Sequence, residues 1–597
     1  MKKMFSNINY VINLVWKKSH TYIFLKIFSV ILSCVRLYIN SIYLKVIIDS
    51  ISNRSIDNTF ITLTIIQFVS LIMSILNNIL INRIMERLEY KIRNDLSIDF
   101  VNKTSNLDLR CYEDFSFYDS YSKALRIADY KAINILNLIV SLIDSVISIL
   151  LLASMIAYLD LILIVFMIAL MISNVIDTFL SNEASMKLYE AQETINRQLE
   201  YLKRVAHHRQ YAKELRVYSM FPFIKAKISS SFLEKFAMFK KTNKNYWNIK
   251  LVFSLINNLI LTLSILFYLV YQTYNGKFSI GEFTMLFTVV FSCSSYAADI
   301  FNVFSNISFE NKYYLNNLRR IIDYEPVVET KGGKPINKDE LHDIEFKNVY
   351  FKYENCDEYV IKNLSFKINK GEKIAIVGKN GSGKSTIIKL VLRLYDVDNG
   401  EILIDGLNIK EYDVVQLRNC FSTLLQDFNK YSFSINENIS LSMTFNQELV
   451  NNSLKKVKMY EKVQSLKQKG DTYITKEFNE NGVDLSGGEY QKICLARVFN
   501  HNSSFLLLDE VNSALDPYAD VELVKQLMSS NYDKSILMIS HRICSIAIFD
   551  RIIVLDSGRI VEQGSHEELI NNKNLYYDIY SKQMALFEIQ NEIQNYT

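Results

Sequence analysis

Gly378-Lys379-Asn380-Gly381-Ser382-Gly383-Lys384-Ser385-Thr386 decides how the rest of this chain is read. It fits Gly-x4-Gly-Lys-Ser, the pattern of a phosphate-binding loop. The run before it, Lys373-Ile374-Ala375-Ile376-Val377, is apolar and β-branched and predicts a buried strand. The run after it, Ile387-Ile388-Lys389-Leu390-Val391-Leu392, predicts a helix. In that setting the glycines let successive backbone N–H groups close on a polyphosphate, and the helix N-terminus adds partial positive charge. Lys384 can reach the β- and γ-phosphates, and Ser385 can ligate Mg²⁺. The stretch therefore predicts a nucleoside triphosphate site.

Two further stretches around it suit the same chemistry. Phe505-Leu506-Leu507-Leu508-Asp509-Glu510 is an apolar strand ending in two carboxylates. The buried run positions Asp509 to hold Mg²⁺, and Glu510 beside it can orient and polarise an attacking water. Leu485-Ser486-Gly487-Gly488-Glu489-Tyr490-Gln491 places glycines at a predicted helix start, a second anion site. One chain carries one of each, so the two sets can serve one phosphate only if two copies meet. Ile344–Tyr353 alternates like a strand, and an aromatic there could stack on an adenine or simply pack.

At 597 residues the chain exceeds a single core. Its 49% hydrophobic content and positive mean hydropathy are unusual for a soluble enzyme. A net charge of +4 gives no argument for nucleic acid. Cys34, Cys111, Cys293, Cys356, Cys420, Cys494 and Cys544 are scattered without a Cys-x2-Cys pair, which argues against a metal site or a disulfide framework. Only Gly276 and Gly281 precede residue 332, so the first half is nearly free of turn residues, as long helices require. Pro326, Gly332, Gly333 and Pro335 mark a linker.

Met1–His20 reads as a short basic amphipathic helix at a membrane surface rather than a signal peptide. Six apolar stretches follow near bilayer-spanning length: about Thr21–Ile48, Phe60–Ile81, Ile133–Tyr158, Leu161–Leu180, Ile249–Tyr271 and Gly281–Phe304. The two long links, Asn82–Ala132 and Ser181–Asn248, read as helical extensions and are rich in Lys and Arg. The short links hold only Arg54 and Lys277. By the positive-inside rule the N-terminus, both long links and the C-terminal half are cytoplasmic. Arg36, Asp144, the Asn257-Asn258 pair and Asp299 fall inside the spans, and are read as a substrate pathway, as structural pairing between helices, or as groups near enough to the interface to snorkel.

With these motifs in order, the chain resembles an ATP-binding cassette exporter half-transporter along nearly its whole length. The resemblance implies a membrane all-α six-helix transmembrane domain followed by an α/β P-loop nucleotide-binding domain. It also implies a second half-transporter subunit, expected to be an identical copy. The expected divisions are 1–20 for the N-terminal elbow, 21–323 for the transmembrane domain, 324–340 for the linker and 341–597 for the cassette. Carried over by position, Tyr353 matches the adenine-stacking aromatic and Gly378–Thr386 the phosphate loop. That makes Gly378, Lys379, Asn380, Gly381, Ser382, Gly383, Lys384, Ser385 and Thr386 nucleotide ligands. Gln426 matches the glutamine that contacts Mg²⁺ alongside Ser385 and Asp509. Ser486, Gly487 and Gly488 match the signature that caps the γ-phosphate of the partner's ATP. Glu510 matches the catalytic glutamate, His541 the switch histidine and Ser513–Asp516 the loop joining the two sites. Tyr112–Asp119 and Ala212–Tyr218 resemble the two coupling helices. Two departures stand out: Val511-Asn512 replaces the usual Pro-Thr, and Glu480-Asn481-Gly482 lacks the usual Arg after Glu.

The resemblance narrows to lantibiotic and bacteriocin exporters at Gln426–Tyr431, Ile435–Ile439 and Lys213–Arg216. It implies ATP-driven export of a modified peptide across the cytoplasmic membrane. The N-terminal cysteine peptidase of many peptide exporters is expected to be absent, so that another protein cuts any leader. The alternatives are a multidrug or lipid exporter of the same architecture, or a membrane ATPase that senses a compound without moving it.

Overall fold

A computed structural model describes residues 2–54, 58–76, 78–79, 82–126, 131–328, 332–354, 356–510, 517–530 and 533–595. The chain forms two compact units. Unit 1 comprises Met1–Ser105 and Phe115–Tyr324, and unit 2 comprises Asn106–Asp114 and Glu325–Thr597.

Unit 1 is helical. Its elements are α1 (Lys2–Lys18), α2 (His20–Asn53), α3 (Asn58–Leu76) and α4 (Asn82–Thr104), and, past the short unit 2 helix α5 (Leu109–Glu113), α6 (Phe115–Arg126) and α7 (Ala132–Leu159). Then come α8 (Leu161–His207), α9 (Ala212–Val217), α10 (Phe221–Leu255), α11 (Thr262–Tyr274), α12 (Ile280–Glu310) and α13 (Asn316–Ile322). Within this unit α12 is the central helix and packs on α2, α7 and α8. Leu286, Val290 and Cys293 on it are fully buried. The long links are helical extensions, and α8 runs unbroken for 47 residues, about 70 Å at 1.5 Å per residue.

Among the described residues, five helices are long and apolar enough to cross a bilayer. The sixth expected stretch, Ile249–Tyr271, is not one uniform helix. It is divided among the end of α10, a π-helical turn at Ile256–Leu261 and α11. A π-turn bonds i to i+5 and interrupts the α-helical ladder. The two glycines of the first half have specific uses. Gly276 takes φ +74° in the turn after α11. Gly281 lets α12 approach α2, since a Cβ there would lie 2.2 Å from the Lys45 carbonyl oxygen. The Gly281 amide donates to Asp49 Oδ1 at 2.9 Å, and Ser279 Oγ donates to Asp49 Oδ2 at 2.9 Å.

Unit 2 is α/β. Its strands are β1 (Ile344–Phe351), β2 (Ile361–Ile368), β3 (Lys373–Gly378), β4 (Asn399–Ile404), β5 (Leu407–Asn408), β6 (Phe421–Leu424), β7 (Phe505–Asp509), β8 (Ser535–Ile539), β9 (Arg551–Asp556) and β10 (Arg559–Gly564). One sheet is antiparallel in the order β2-β1-β4-β5. The other runs β10-β9-β3-β8-β7-β6, parallel except for β10. Strands β3, β7 and β8 are buried on both faces, which their unbroken apolar runs require. Their C-terminal ends deliver Gly378, Asp509 and Ile539 to one edge, where an open α/β sheet places its ligand crevice.

Asn106–Asp114 and the stretch from Glu325 belong to unit 2. The Val327 and Val328 amides donate to the Asp108 carboxylate at 2.8 and 3.2 Å, and Arg110 pairs with Glu354 at 2.7 Å. The stretch matched to the first coupling helix is broken at Asp114, whose extended backbone (ψ 113°) ends α5 before α6 begins. The second, Ala212–Tyr218, is helical as α9, with Leu215 buried and Val217 and Tyr218 exposed.

Candidate nucleotide site

Strand β3 ends at Gly378, and the loop that follows turns into the helix α14 (Lys384–Val391). Gly383 is the N-cap at φ +98°, a backbone state that favours glycine, and no side chain caps the helix. A Cβ on Gly383 would lie 2.8 Å from the Ile361 side chain, so β2 closes one wall of the loop. Lys384 is only 6% exposed. Its Nζ donates to the carbonyls of Gly378 at 3.0 Å and Lys379 at 2.9 Å. Burial pushes its pKa below the ordinary lysine value, while Glu510 and Asp509 pull it back up. The ammonium is thus held over the loop and beside two carboxylates, as a polyphosphate with its cation would need.

Strand β7 delivers those carboxylates. Asp509 is buried, and burial raises its pKa, opposed chiefly by a hydrogen bond from Ser385. Its Oδ1 is buried without a hydrogen-bond partner. An orphan carboxylate oxygen beside the Ser385 hydroxyl fits a hard divalent cation such as Mg²⁺. Glu510 follows at φ +51°, an uncommon state for a residue of its size. Its amide donates to the Ile539 carbonyl at 3.0 Å. Its carboxylate is gripped at both oxygens, by Gln426 Nε2 at 2.6 Å and His541 Nε2 at 2.7 Å.

A cavity of about 620 Å³ gathers these groups. Tyr353, Asn380, Gly381, Gly383, Lys384, Ser385, Thr386, Gln426, Glu510 and His541 of the sequence-derived set line it together. Gly378, Lys379, Ser382 and Asp509 are not among its lining residues and belong to the loop and strand just described. Ser486, Gly487 and Gly488 do not line it. They begin the helix Gly487–Asn500, with Ser486 as N-cap, and a Cβ on Gly487 would meet open space. Ser513–Asp516, with Val511 and Asn512, lies outside the described residues.

The surroundings of Tyr353 are not legible in the sequence. Its ring meets Tyr395 edge-on with centroids 5.5 Å apart, its hydroxyl lies 3.2 Å from Thr386 Oγ1, and Lys389 Nζ sits 5.2 Å from its centroid. Lys389 lies one turn into α14 and was legible as a cation on that helix. Tyr395, 42 positions beyond Tyr353 in the sequence, carried no signal.

Of the other sequence-singled groups, Arg36 donates to Ser74, and Asp144 accepts from Ser33 Oγ at 2.5 Å. Asp299 is exposed. The side chains of Asn257 and Asn258 lie outside the described residues.

A family model described as ABC transporter matches residues 361–513. The subtilin transport ATP-binding protein of Bacillus subtilis is 30% identical over 569 residues, covering 93% of this chain and 90% of that protein. The chain belongs to the ABC transporter family. An ATP-dependent lipid A-core flippase of Haemophilus influenzae is 34% identical over 51% of each chain. A putative multidrug export ATP-binding/permease protein of Bacillus subtilis is 34% identical over 45% of this chain and 46% of its own. Among solved structures, a bacterial Atm1-family ABC exporter with ATP bound superposes with a TM-score of 0.78 at 23% identity, covering 94% of this chain and 97% of that one. This ABC transporter is therefore a multi-pass membrane exporter that hydrolyses ATP, with the half-transporter arrangement of helical membrane unit and cassette.

Proposed function

We propose that two copies of this chain export a modified peptide of the lantibiotic class across the cytoplasmic membrane. The observation that carries this reading is the end-to-end similarity to the subtilin transport protein, whereas the flippase and multidrug relatives match about half the chain. The Lys- and Arg-rich long links support a cytoplasmic cassette, where ATP is.

In this reading the loop amides of Gly378–Thr386 and Lys384 hold the phosphates of ATP, and Tyr353 stacks on the adenine. Ser385, Asp509 and Gln426 would hold Mg²⁺, which would neutralise developing charge on the phosphates. Glu510 orients and deprotonates the attacking water. His541 and Gln426 fix its carboxylate at 2.7 and 2.6 Å, so its direction is set before substrate arrives. Ser486, Gly487 and Gly488 of a second copy enclose the γ-phosphate. Their position outside the cavity of their own chain supports that assignment. ATP shifts the population only by preferring the closed pair, and hydrolysis through Glu510 then releases it.

Reconstitution into sealed vesicles tests the reading. ATP-dependent accumulation of a lantibiotic-type peptide, without movement of lipid probes or lipophilic drugs, is the expected result. Accumulation of lipid or drug alone overturns it, and nucleotide-dependent peptide binding without accumulation favours a sensor.

A further inference from the structure

A second cavity, of about 450 Å³, lies within unit 1 between α2 and α3. That volume falls in the usual range of small-ligand sites. Leu32, Val35, Ile39, Ile66, Val69 and Met73 give it apolar walls, and Arg36 is the one charged residue among its described lining.

Arg36 stands near the middle of the 34-residue α2. Charge at that depth is costly and is retained where something pairs with it. Its Nη1 donates to Ser74 Oγ on α3, a neutral acceptor. Among the described residues no Asp or Glu lines the cavity. The Asp144 carboxylate on α7 accepts at Oδ1 from Ser33 Oγ at 2.5 Å and Cys34 Sγ at 3.6 Å. Ser70 Oγ is likewise engaged, donating to the Gln67 carbonyl. A guanidinium carries five N–H donors in a planar fork that matches the two oxygens of a carboxylate. The cavity thus combines apolar walls with a cation for which its described lining residues supply no carboxylate.

We infer that this cavity receives a carboxylate of the transported peptide, paired with Arg36, while the apolar walls take the neighbouring side chains. The identity of the ligand rests on the peptide-export reading above. Depth favours a peptide over a lipid headgroup. A resting lipid keeps its phosphate at the interface, roughly 15 Å from the mid-plane of a ~30 Å hydrocarbon core.

The test uses the full chain in nanodiscs of zwitterionic lipid and a dansyl-labelled apolar pentapeptide, as the free acid and as the C-terminal amide. The acid should bind at least about tenfold more tightly than the amide, since a charged hydrogen bond is at stake. Arg36→Gln should abolish that preference. Arg36→Lys, which keeps the charge without the fork, should retain part of it and serves if the Gln variant does not fold. Equal affinity for acid and amide, binding of neither, or an undiminished preference in Arg36→Gln overturns the site. So does displacement of the probe by phosphatidylglycerol in a manner that Arg36→Gln abolishes, which would make the occupant a lipid phosphate. Vesicle accumulation separates this inference from the reading beneath it. Peptide export with no acid preference removes only the Arg36 site. Acid binding through Arg36 without peptide export keeps the anion site and removes the peptide.

Discussion

Two helices of unit 2 begin on glycine-rich turns and treat their first amides in opposite ways. At α14 the N-cap is Gly383 and no side chain caps the helix. Its amides remain available to a ligand, under a buried lysine. At the helix Gly487–Asn500 the turn is a capping box. The Glu489 amide donates to Ser486 Oγ at 3.3 Å, and the Ser486 amide donates to Glu489 Oε2 at 3.0 Å. The first start leaves its end without a side-chain cap, as an anion-binding helix start requires. The second is already complete as a helix end and presents Gly487 to open space. The difference teaches that an anion site can be a cradle or a lid. A lid is self-sufficient until another surface brings the phosphate to it.

Four experiments would break or sharpen that contrast. The largest effect is expected at Glu510, which faces the cradle. Glu510→Gln should lower ATP turnover by about 10²–10⁴-fold, the range for loss of a general base, while ATP binding persists. Phosphate release and equilibrium nucleotide binding measure the two sides, and near-normal turnover would remove the role given to Glu510. Next, Lys384→Ala takes the cation from the cradle. Nucleotide affinity or turnover should fall by about 10–100-fold, the value of a charged hydrogen bond, and unchanged values would overturn the phosphate assignment.

Gly487→Ala probes the lid. Open space around that position predicts an unchanged melting temperature. ATP binding to the cradle should also hold, while turnover drops about tenfold if the added methyl displaces a charged hydrogen bond across two copies. Weakened nucleotide binding in the isolated monomer would instead put the signature and the loop in one site. The smallest effect is on the lid's own cap. Glu489→Ala should cost about 1 kcal/mol of stability at neutral pH, as loss of a cap does. The ion pair with Lys462 and the Ser486 amide hold the Glu489 carboxyl below its usual 4.5. A depressed pKa contributes stability above the unfolded value that is lost as pH falls through the folded one. The melting-temperature gap between wild type and Glu489→Ala should therefore close below about pH 4.5, and a gap constant with pH would mean the carboxylate is not what stabilises the turn.

The sequence made the cradle legible because each part has a local reason. A buried strand, glycines, a lysine and a helix are all contiguous, and Asp509-Glu510 ends a run that can only be an interior strand. The grip on Glu510 was legible only through resemblance. Gln426 and His541 lie far from it in sequence and converge because β6, β7 and β8 are neighbours in register. Among the membrane helices, composition marks apolar stretches but not their ladder, so the π-turn at Ile256–Leu261 was invisible. Asn106–Asp114 falls inside the long link read as a helical extension of 21–323, and nothing in its composition marks it as part of unit 2.

That last segment has a consequence for biosynthesis. The Asp108 carboxylate, which accepts the Val327 and Val328 amides, is made more than two hundred residues before them. Unit 2 cannot be finished from its own C-terminal stretch, and a truncated chain beginning at Glu325 would leave those two amides without that acceptor. On the ribosome the order is reversed. Asn106–Asp114 emerges early, within a chain that is still threading its apolar helices into a bilayer, and must wait for the cassette to arrive. Completion of the ATPase is thereby made a late event, reached only after the apolar helices have been synthesised.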